Sequence, residues 1–287
     1  MTISTVSVVA PGAMGSGFAH LLSANGVKVL TSLDGRSDAT RERATAAGMH
    51  DATDAEIASA DIILSVVPPA QAVALATRLA PALRAAQRKA IYVDCNAVSI
   101  ESVKQVEAII RGSGAAFVDG GIIGMPPKGQ NKPTLYLSGA DAGNVAVLGA
   151  LGLKVEVVGE KIGAASALKM SFAGINKGMV FLVSAMILGA ARAGAEQGLY
   201  RVLSANRPDL LARWAISVPD MFSKAHRWAP EMEEVAEFLG EGQMGQDLFI
   251  DLAKIGVSLA HDFDGEKVLI RTLDEFFKSP HSAQASQ

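Results

Sequence analysis

The apolar positions of this chain change their period partway along it. Up to about residue 161, short continuous apolar runs alternate with amphipathic stretches. "VSVV" (6–9), "VKVLTSL" (27–33), "ADIILSVVP" (60–68), "AIYVDC" (90–95) and "AAFVDGG" (115–121) read as strands. "TLYLSG" (134–139) and "KVEVVG" (154–159) extend the set. Between them, "GSGFAHLLSANG", "DATRERATAAG", "AVALATRLAPALR" and "SIESVKQVEAIIRGSG" carry helical spacing, with Asn25-Gly26 and Gly48 as stop signals. Strands that are apolar without alternation are buried on both faces, which requires helices above and below a mostly parallel sheet. After Gly163 the strand signals stop. Residues 164–198 form one long Ala-rich helical pattern, followed by helical stretches around 207–225, 230–239, 244–261 and 266–277. The pattern predicts an α/β chain: a doubly wound domain over 1–161 and an all-α domain over 162–287, joined by a long interdomain helix. The tail "SPHSAQASQ" reads as disordered.

Composition narrows the possible functions. Of the 287 residues, 49% are apolar and only 5% aromatic, so the core is built from Ala, Val, Leu and Ile. A net charge of −3 without a basic stripe argues against a nucleic-acid partner. The single cysteine, Cys95, excludes an internal disulfide and fits a reducing cytoplasm. No basic segment precedes an apolar run near Met1, so no secretory signal is expected. "MVFLVSAMILGAARAGA" (179–195) needs a membrane check. Arg192 interrupts it, and the apolar part falls short of the ~20 residues a span requires. It reads as a helix buried all round, with no membrane partner. His226 and His261 lack partners at metal-ligand spacing, so no metal is expected. Cys95 reads as a small buried residue, since no nucleophile motif surrounds it.

The stretch "VAPGAMGSG" (9–17) carries the first chemical signal. It follows a strand, precedes a helix and opens a strand–helix–strand unit, the setting of a Rossmann dinucleotide loop. Gly12 would let the backbone approach a pyrophosphate, with Ala13 and Met14 opening the helix beside it. Gly15 would let that helix pack on its strand. Ala10 takes the tight-turn position, where alanine is tolerable at negative φ. A plain strand–helix turn is the alternative. The next strand ends at Leu33, followed by Asp34-Gly35-Arg36-Ser37. Arg36 and Ser37 suit a 2′-phosphate and favour NADP, whereas Asp34 suits the ribose of NAD.

Six dispersed segments then resemble one family, the β-hydroxyacid dehydrogenases related to 6-phosphogluconate dehydrogenase and 3-hydroxyisobutyrate dehydrogenase. "GAMGSGFAHLL" is similar to their G-x-M-G-x-x-x-A-x-x-L, and "ADIILSVVPPAQAV" to their third-strand text. "VDCNAVSIESV" is similar to D-x-S-T-x-x-P, and "FVDGGIIGMPP" to D-A-P-V-S-G-G. "GAASALKMSFAGINKG" is similar to G-x-G-x-x-x-K-x-x-N-N, and "QMGQDLFIDLAK" to K-D-L-x-L-A. "LDGRS", with "ALKMSFAGINKG", resembles a poorly characterised branch whose C-terminal half is called phosphogluconate-dehydrogenase-like. The resemblance spans about residues 5–255, in the family's order. It implies that Val67, Pro68 and Asn96 contact the cofactor. It implies that Gly121, Ile123 and Gly124 face the substrate, and that helical domains pair in a homodimer.

The departures fall where substrate would be read. The family's loop serine becomes Ile123, its Gly-Gly becomes Gly124-Met125, its asparagine becomes Ala173, and the lysine of K-D-L becomes Gln246. The cofactor and reaction type transfer; a small 3-hydroxy acid does not, and a bulkier or less acidic small molecule is expected.

Lys169 is the central candidate. From composition alone, a lysine in an Ala/Leu/Met helix snorkels to the surface. The resemblance makes it the general acid/base that exchanges a proton with the alkoxide during hydride transfer. Asn176, seven residues on and nearly on the same helical face, is a candidate replacement for the missing asparagine, or an ordinary helix polar residue. Asp247 either orients Lys169 or the cofactor, or merely caps a helix. Trp214, Phe222 and Trp228 read as core before pocket. An imine reductase on the same scaffold and a non-catalytic dinucleotide sensor are the rival functions. The apolar loop favours the former, and retention of Lys169 weighs against both.

Overall fold

The computed structural model describes residues 3–129 and 131–278. The tail read as disordered lies outside the described residues. The chain divides into two compact units, residues 1–169 and 170–287.

The first unit holds β1 (Thr5–Val9), α1 (Ala13–Ala24), β2 (Lys28–Thr31), α2 (Asp38–Ala46), β3 (Met49–Asp51), α3 (Asp54–Ala58) and β4 (Ile62–Ser65). It continues through α4 (Ala72–Ala85), β5 (Ile91–Asp94), α5 (Ile100–Gly112), β6 (Phe117–Ile123), β7 (Thr134–Ser138), α6 (Ala142–Val145) and β8 (Lys154–Gly159). The sheet order is β3-β2-β1-β4-β5-β6-β7-β8. Every neighbouring pair is parallel except β6 and β7. The chain winds outward from β1 to β3, then restarts beyond β1 at β4. The carboxyl ends of β1 and β4 therefore flank a switch point, where such sheets open a crevice.

The pleat sorts the apolar runs into two cores. Ile62 and Leu64 join Val6, Val8, Phe18 and Leu22 on one face. Ile63 joins Tyr92, Phe117, Leu79 and Val103 on the other. Each fully buried Leu or Ile contributes about 1.5–3 kcal/mol relative to exposure. Both faces are thus held, as the unalternating strands require.

Several local readings change. The strands are shorter than expected at their carboxyl ends: β2 stops at Thr31 and β4 at Ser65. β3 and α3 are additions. They have three and five residues, too few to show a period, although Thr53 and Glu56 form a capping box at the start of α3.

The helix opening at α7 (Ala164–Ala173) continues through a π-helical turn, Gly174–Gly178, into α8 (Met179–Arg192). It does not run to 198. Gly194 is left-handed at φ 69°, and the N–H of Ala195 returns to the Ala190 carbonyl at 2.9 Å, ending the helix. Its 29 residues are long and apolar enough to cross a membrane by composition alone. The charge-free run within it, between Lys177 and Arg192, is the short one read from the sequence, but the helix is not buried all round: Met179, Leu182 and Met186 are exposed.

The second unit adds α9 (Glu196–Asn206), α10 (Pro208–Phe222), α11 (Ala225–Leu239), α12 (Gln246–Asp264) and α13 (Val268–Lys278). α8 buries Val180, Phe181, Val183, Ile187 and Leu188 and packs against α10, α12 and α13. Gly174 and Gly178 make room for Phe249 of α12. A Cβ on either would lie 3.1 Å from its ring. α11 begins five residues before the expected start because Pro230 sits inside the helix rather than opening it.

Candidate functional site

The glycine turn follows β1, and α1 begins on Gly12, at φ −70° and ψ −179°. No side chain caps this helix and no acid occupies its first turn. The first N–H groups of a helix lack intrahelical partners, and those of Ala13 and Met14 are met here by no capping side chain. Ser16 turns its hydroxyl back to the carbonyls of Pro11 (3.1 Å) and Gly12 (2.8 Å), fixing the turn. Gly12 and Gly15 differ in what demands them. A Cβ on Gly12 meets nothing within 4 Å, so the space above its backbone is open. A Cβ on Gly15 would lie 2.1 Å from the Ala10 carbonyl oxygen, so no other residue fits. Ala13 is exposed, and Met14 packs against the core of that face.

Gly17 was not singled out from the sequence. A Cβ there would lie 2.5 Å from Pro127, which rests on α1. The G-S-G spacing at 15–17 was the available signal.

Beyond β2, the N–H of Leu33 bonds Asp51 at 2.8 Å, and a turn closes from Arg36 N–H to the Leu33 carbonyl at 3.1 Å. Gly35 supplies φ 65° within it. Arg41, also unforeseen, clamps this turn from α2, reaching the carbonyls of Leu33 (2.6 Å) and Arg36 (3.3 Å). Ser37 opens α2 without capping it; its hydroxyl lies 3.1 Å from that of Thr40. Alongside lies a cleft of about 450 Å³ lined by Ser32, Asp34, Thr53, Asp54 and Arg78, among others. Arg78 is already paired with Asp54 at 3.1 Å.

The ends of β1, β4 and β5 are tied by Asn96. Val66 N–H donates to the Val9 carbonyl, and Val67 N–H to Asn96 Oδ1 at 2.7 Å. Asn96 Nδ2 donates to Ser65 Oγ at 2.8 Å and to Asp94 Oδ1. Asn96 is only 2% exposed and its amide is spent internally. It places Val67 and the exposed Pro68 at the crevice rather than presenting its own side chain.

β6 carries the most informative geometry. Asp119, fully buried, accepts from Ser138 Oγ (2.8 Å), Ala165 N–H (3.0 Å), Ser166 N–H (3.1 Å) and Ser166 Oγ (2.5 Å). It caps α7, where a carboxylate meets both unpaired N–H groups and the positive helix end. Two residues on, a Cβ at Gly121 would lie 2.6 Å from the Ala165 carbonyl and 3.3 Å from Lys169 Cβ. The missing side chain brings Lys169, half-buried, directly over the strand. Asp94 stands beside Asp119 in the β5–β6 register. Burial pushes its carboxyl up to about 6, with the nearby Asp119 adding to the rise. Asn96 and the Lys169 ammonium oppose it. Burial and Asp94 likewise push the Cys95 thiol up, consistent with an inert core cysteine.

Ile123 ends β6 half-buried, and Gly124 turns away at φ 124°. Met125 is 68% exposed. Asn131 Nδ2 holds the loop by donating to the carbonyls of Met125 (3.3 Å) and Pro126 (3.4 Å).

In the second unit, Asn176 lies in the π-helical turn. Its Nδ2 donates to the Phe172 carbonyl at 2.9 Å, and its Oδ1 accepts from Arg213 of α10. Lys177 pairs with Glu231 and lies 5.4 Å from the Trp228 ring centre. Trp228 meets Phe181 edge-on at 6.2 Å, as a core aromatic. Asp247 is exposed in the first turn of α12. Among the described residues, no three His, Cys, Asp or Glu side chains gather to hold a metal.

Comparison with known proteins fits this geometry. Residues 5–159 match the family profile described as the NAD binding domain of 6-phosphogluconate dehydrogenase, and residues 190–256 match a domain of unknown function. An uncharacterised 28.5 kDa protein of Methanothermus fervidus is 30% identical over 62% of this chain and 67% of its own. A solved conserved protein of unknown function, described as structurally similar to 3-hydroxyacid dehydrogenases, is 29% identical. Its TM-score is 0.76 over 90% of this chain and 97% of that one. At lower identity the fold alone is shared. Mycobacterium tuberculosis 3-hydroxyisobutyrate dehydrogenase with L-serine has 16% identity and TM-score 0.71, covering 95% and 99%. A Myxococcus stipitatus imine reductase with NAD+ has 20% identity and TM-score 0.59, covering 95% and 100%.

The two glycines make opposite predictions. Gly15→Ala must move the Ala10 backbone, and is expected to lower stability by about 1–3 kcal/mol and abolish dinucleotide binding. Gly12→Ala is expected to melt within a degree or two of the parent while weakening cofactor binding. Thermal melting and NAD(P)H fluorescence titration of both variants check this.

Proposed function

Because the chain belongs to the family defined by the NAD binding domain of 6-phosphogluconate dehydrogenase, and is thereby an NAD(P)-dependent dehydrogenase or reductase, we propose the following reaction. It transfers a hydride between NADP and a hydroxy acid or a related alcohol/carbonyl substrate, with Lys169 as general acid/base. The seating of Lys169 supports this most: Asp119 anchors its helix, and Gly121 lets it approach the strand.

The open backbone at Gly12 and the uncapped start of α1 suit the dinucleotide's phosphates. When bound, the nicotinamide supplies or accepts the hydride. The chain's own part is the proton. In reduction, Lys169 Nζ gives a proton to the forming alkoxide oxygen while its charge stabilises that oxygen. In oxidation, it takes the hydroxyl proton back.

For the cofactor, the Arg36 guanidinium has no hydrogen-bond partner among the described residues and stands next to Ser37, which favours a 2′-phosphate. Asp34, lining the neighbouring cleft, is the feature that would favour NAD. An imine reductase is the second reading. Ile123 and exposed Met125 offer a substrate apolar surface, and reductases of this kind share the fold.

The assembly proposed is a homodimer through the helical domain. Phe172, Ile175, Met179, Leu182 and Met186 recur at intervals of three or four along one helix, each 39–69% exposed. A contiguous apolar stripe of this kind marks a surface that is covered. A cytoplasmic setting, without membrane or nucleic acid, goes with the proposal.

Lys169→Ala is expected to cut turnover roughly 100-fold or more with NADPH binding little changed; retained turnover removes Lys169 from the mechanism. Hydroxy acids, ketones and cyclic imines, screened with cofactor fluorescence, separate the two readings. Tight NADPH binding without turnover of any substrate points to a sensor. Arg36→Ala is expected to weaken NADPH binding about tenfold or more and leave NADH unaffected, which titration of both cofactors measures. Met186→Asp is expected to convert a dimer to a monomer in light scattering, and a monomeric parent at micromolar concentration overturns the dimer.

A further inference from the structure

Asp94 has no part in the reaction as described above, yet its placement is unusual. It ends β5 and is only 1% exposed. Its Oδ1 accepts the Asn96 backbone N–H at 3.2 Å and the Asn96 amide. Its Oδ2 is buried with no hydrogen-bond partner. An unmet carboxylate oxygen in a protein interior is costly, and ordinary packing does not retain one without cause.

The strand register points to that cause. Asp94 pairs with Asp119 across parallel β5 and β6, and paired positions project to the same face. On that face Asp119 holds the Ala165 and Ser166 N–H groups, and Gly121 meets Ala165 and Lys169 Cβ. The face that carries Asp94 is therefore the face against which the first turns of α7 are seated. The Lys169 ammonium acts electrostatically on both Asp94 and Cys95.

We propose that Asp94 and Asp119 are a divided positioning pair for Lys169: Asp119 fixes the helix backbone, and Asp94 supplies the buried negative charge that keeps the ammonium protonated. The division follows from their bonding. Asp119 has all its acceptor capacity directed at the helix start and Ser138. Asp94 bonds Asn96 through Oδ1 and keeps Oδ2 without a hydrogen-bond partner. The other titratable groups around Asp94 are Asp119, the Cys95 thiol and the Tyr92 phenol; among the described cations, Lys169 acts on Asp94, and Arg78, paired with Asp54, acts on Tyr92. Burial works against an ammonium, and a neighbouring anion offsets that effect. The carboxyl of Asp94, raised to about 6, is ionised above that pH and neutral below it. The support it gives Lys169 is thus present above about 6 and withdrawn below.

This inference rests on Lys169 being the acid/base, and its test separates the two. Competitive labelling of amines with acetic anhydride, read at Lys169 by mass spectrometry across pH, gives the titration midpoint of Lys169 without any turnover. Asp94→Asn is expected to lower that midpoint by about one unit and to move the alkaline limb of kcat/KM down by the same amount. Asp94→Ser, smaller and also neutral, serves as the second variant should the first not fold. An unchanged Lys169 midpoint in either folded variant overturns the role of Asp94, while loss of turnover in Lys169→Ala still upholds the catalytic reading. Conversely, a shifted midpoint with full turnover in Lys169→Ala upholds the electrostatic pairing and overturns the catalysis.

Discussion

A helix that starts against a sheet leaves several N–H groups facing a protein interior, and the Asp119 carboxylate meets two of them on α7. Each buried donor left unmet would cost about 1–3 kcal/mol, so the α7 start and the end of β6 are tied to one residue. The hydroxyls of Ser138 and Ser166 complete the acceptor set. What hangs on this cap is the position of everything within the next two turns, including Lys169. Gly121 completes the constraint from the strand side. The carboxylate draws the helix in, and the missing Cβ allows it to arrive.

The same logic, a close approach bought by an absent side chain, recurs at the other end of the crevice. Gly15 admits the Ala10 carbonyl under α1, and Gly17 admits Pro127 from the loop after β6. Gly12 is different, because nothing in the protein occupies the space its side chain would fill. Glycines that crowd their neighbours shape the scaffold, whereas the glycine that faces open space leaves room for a ligand. That contrast separates the packing positions of the motif from the open one, although their letters look equivalent.

The doubly wound sheet was legible because its strands are apolar throughout and its helices amphipathic, which leaves few other arrangements. The short elements β3 and α3 were not, since three and five residues carry no period. The long helix was legible in its apolar length but not at its end, because a Gly194 that stops a helix and a glycine tolerated inside one, such as Gly189, look alike in sequence. At the candidate site, Lys169, Gly12 and Gly15 stand out from spacing and resemblance. Asp94 and Asp119 lay inside quoted motifs yet drew no role, because the register that sets them side by side and the helix that Asp119 caps exist only in three dimensions. Asn96 was marked for cofactor contact, and its buried amide shows how a residue can serve the crevice by holding Val67 instead.

The role proposed for Lys169 as proton donor sets opposing demands on its surroundings. A proton donor must lose its proton readily in the transition state, which burial promotes, and must hold it beforehand, which burial prevents. Asp119, bonded through both carboxylate oxygens, solves the mechanical problem at the helix start. In the proposed pairing, Asp94, with one unbonded oxygen, answers the electrostatic one at a cost in stability. In that pairing two acids on adjacent strands, one saturated and one not, divide the two demands between them. The parallel register makes this available cheaply, since neighbouring strands deliver paired side chains to the same helix.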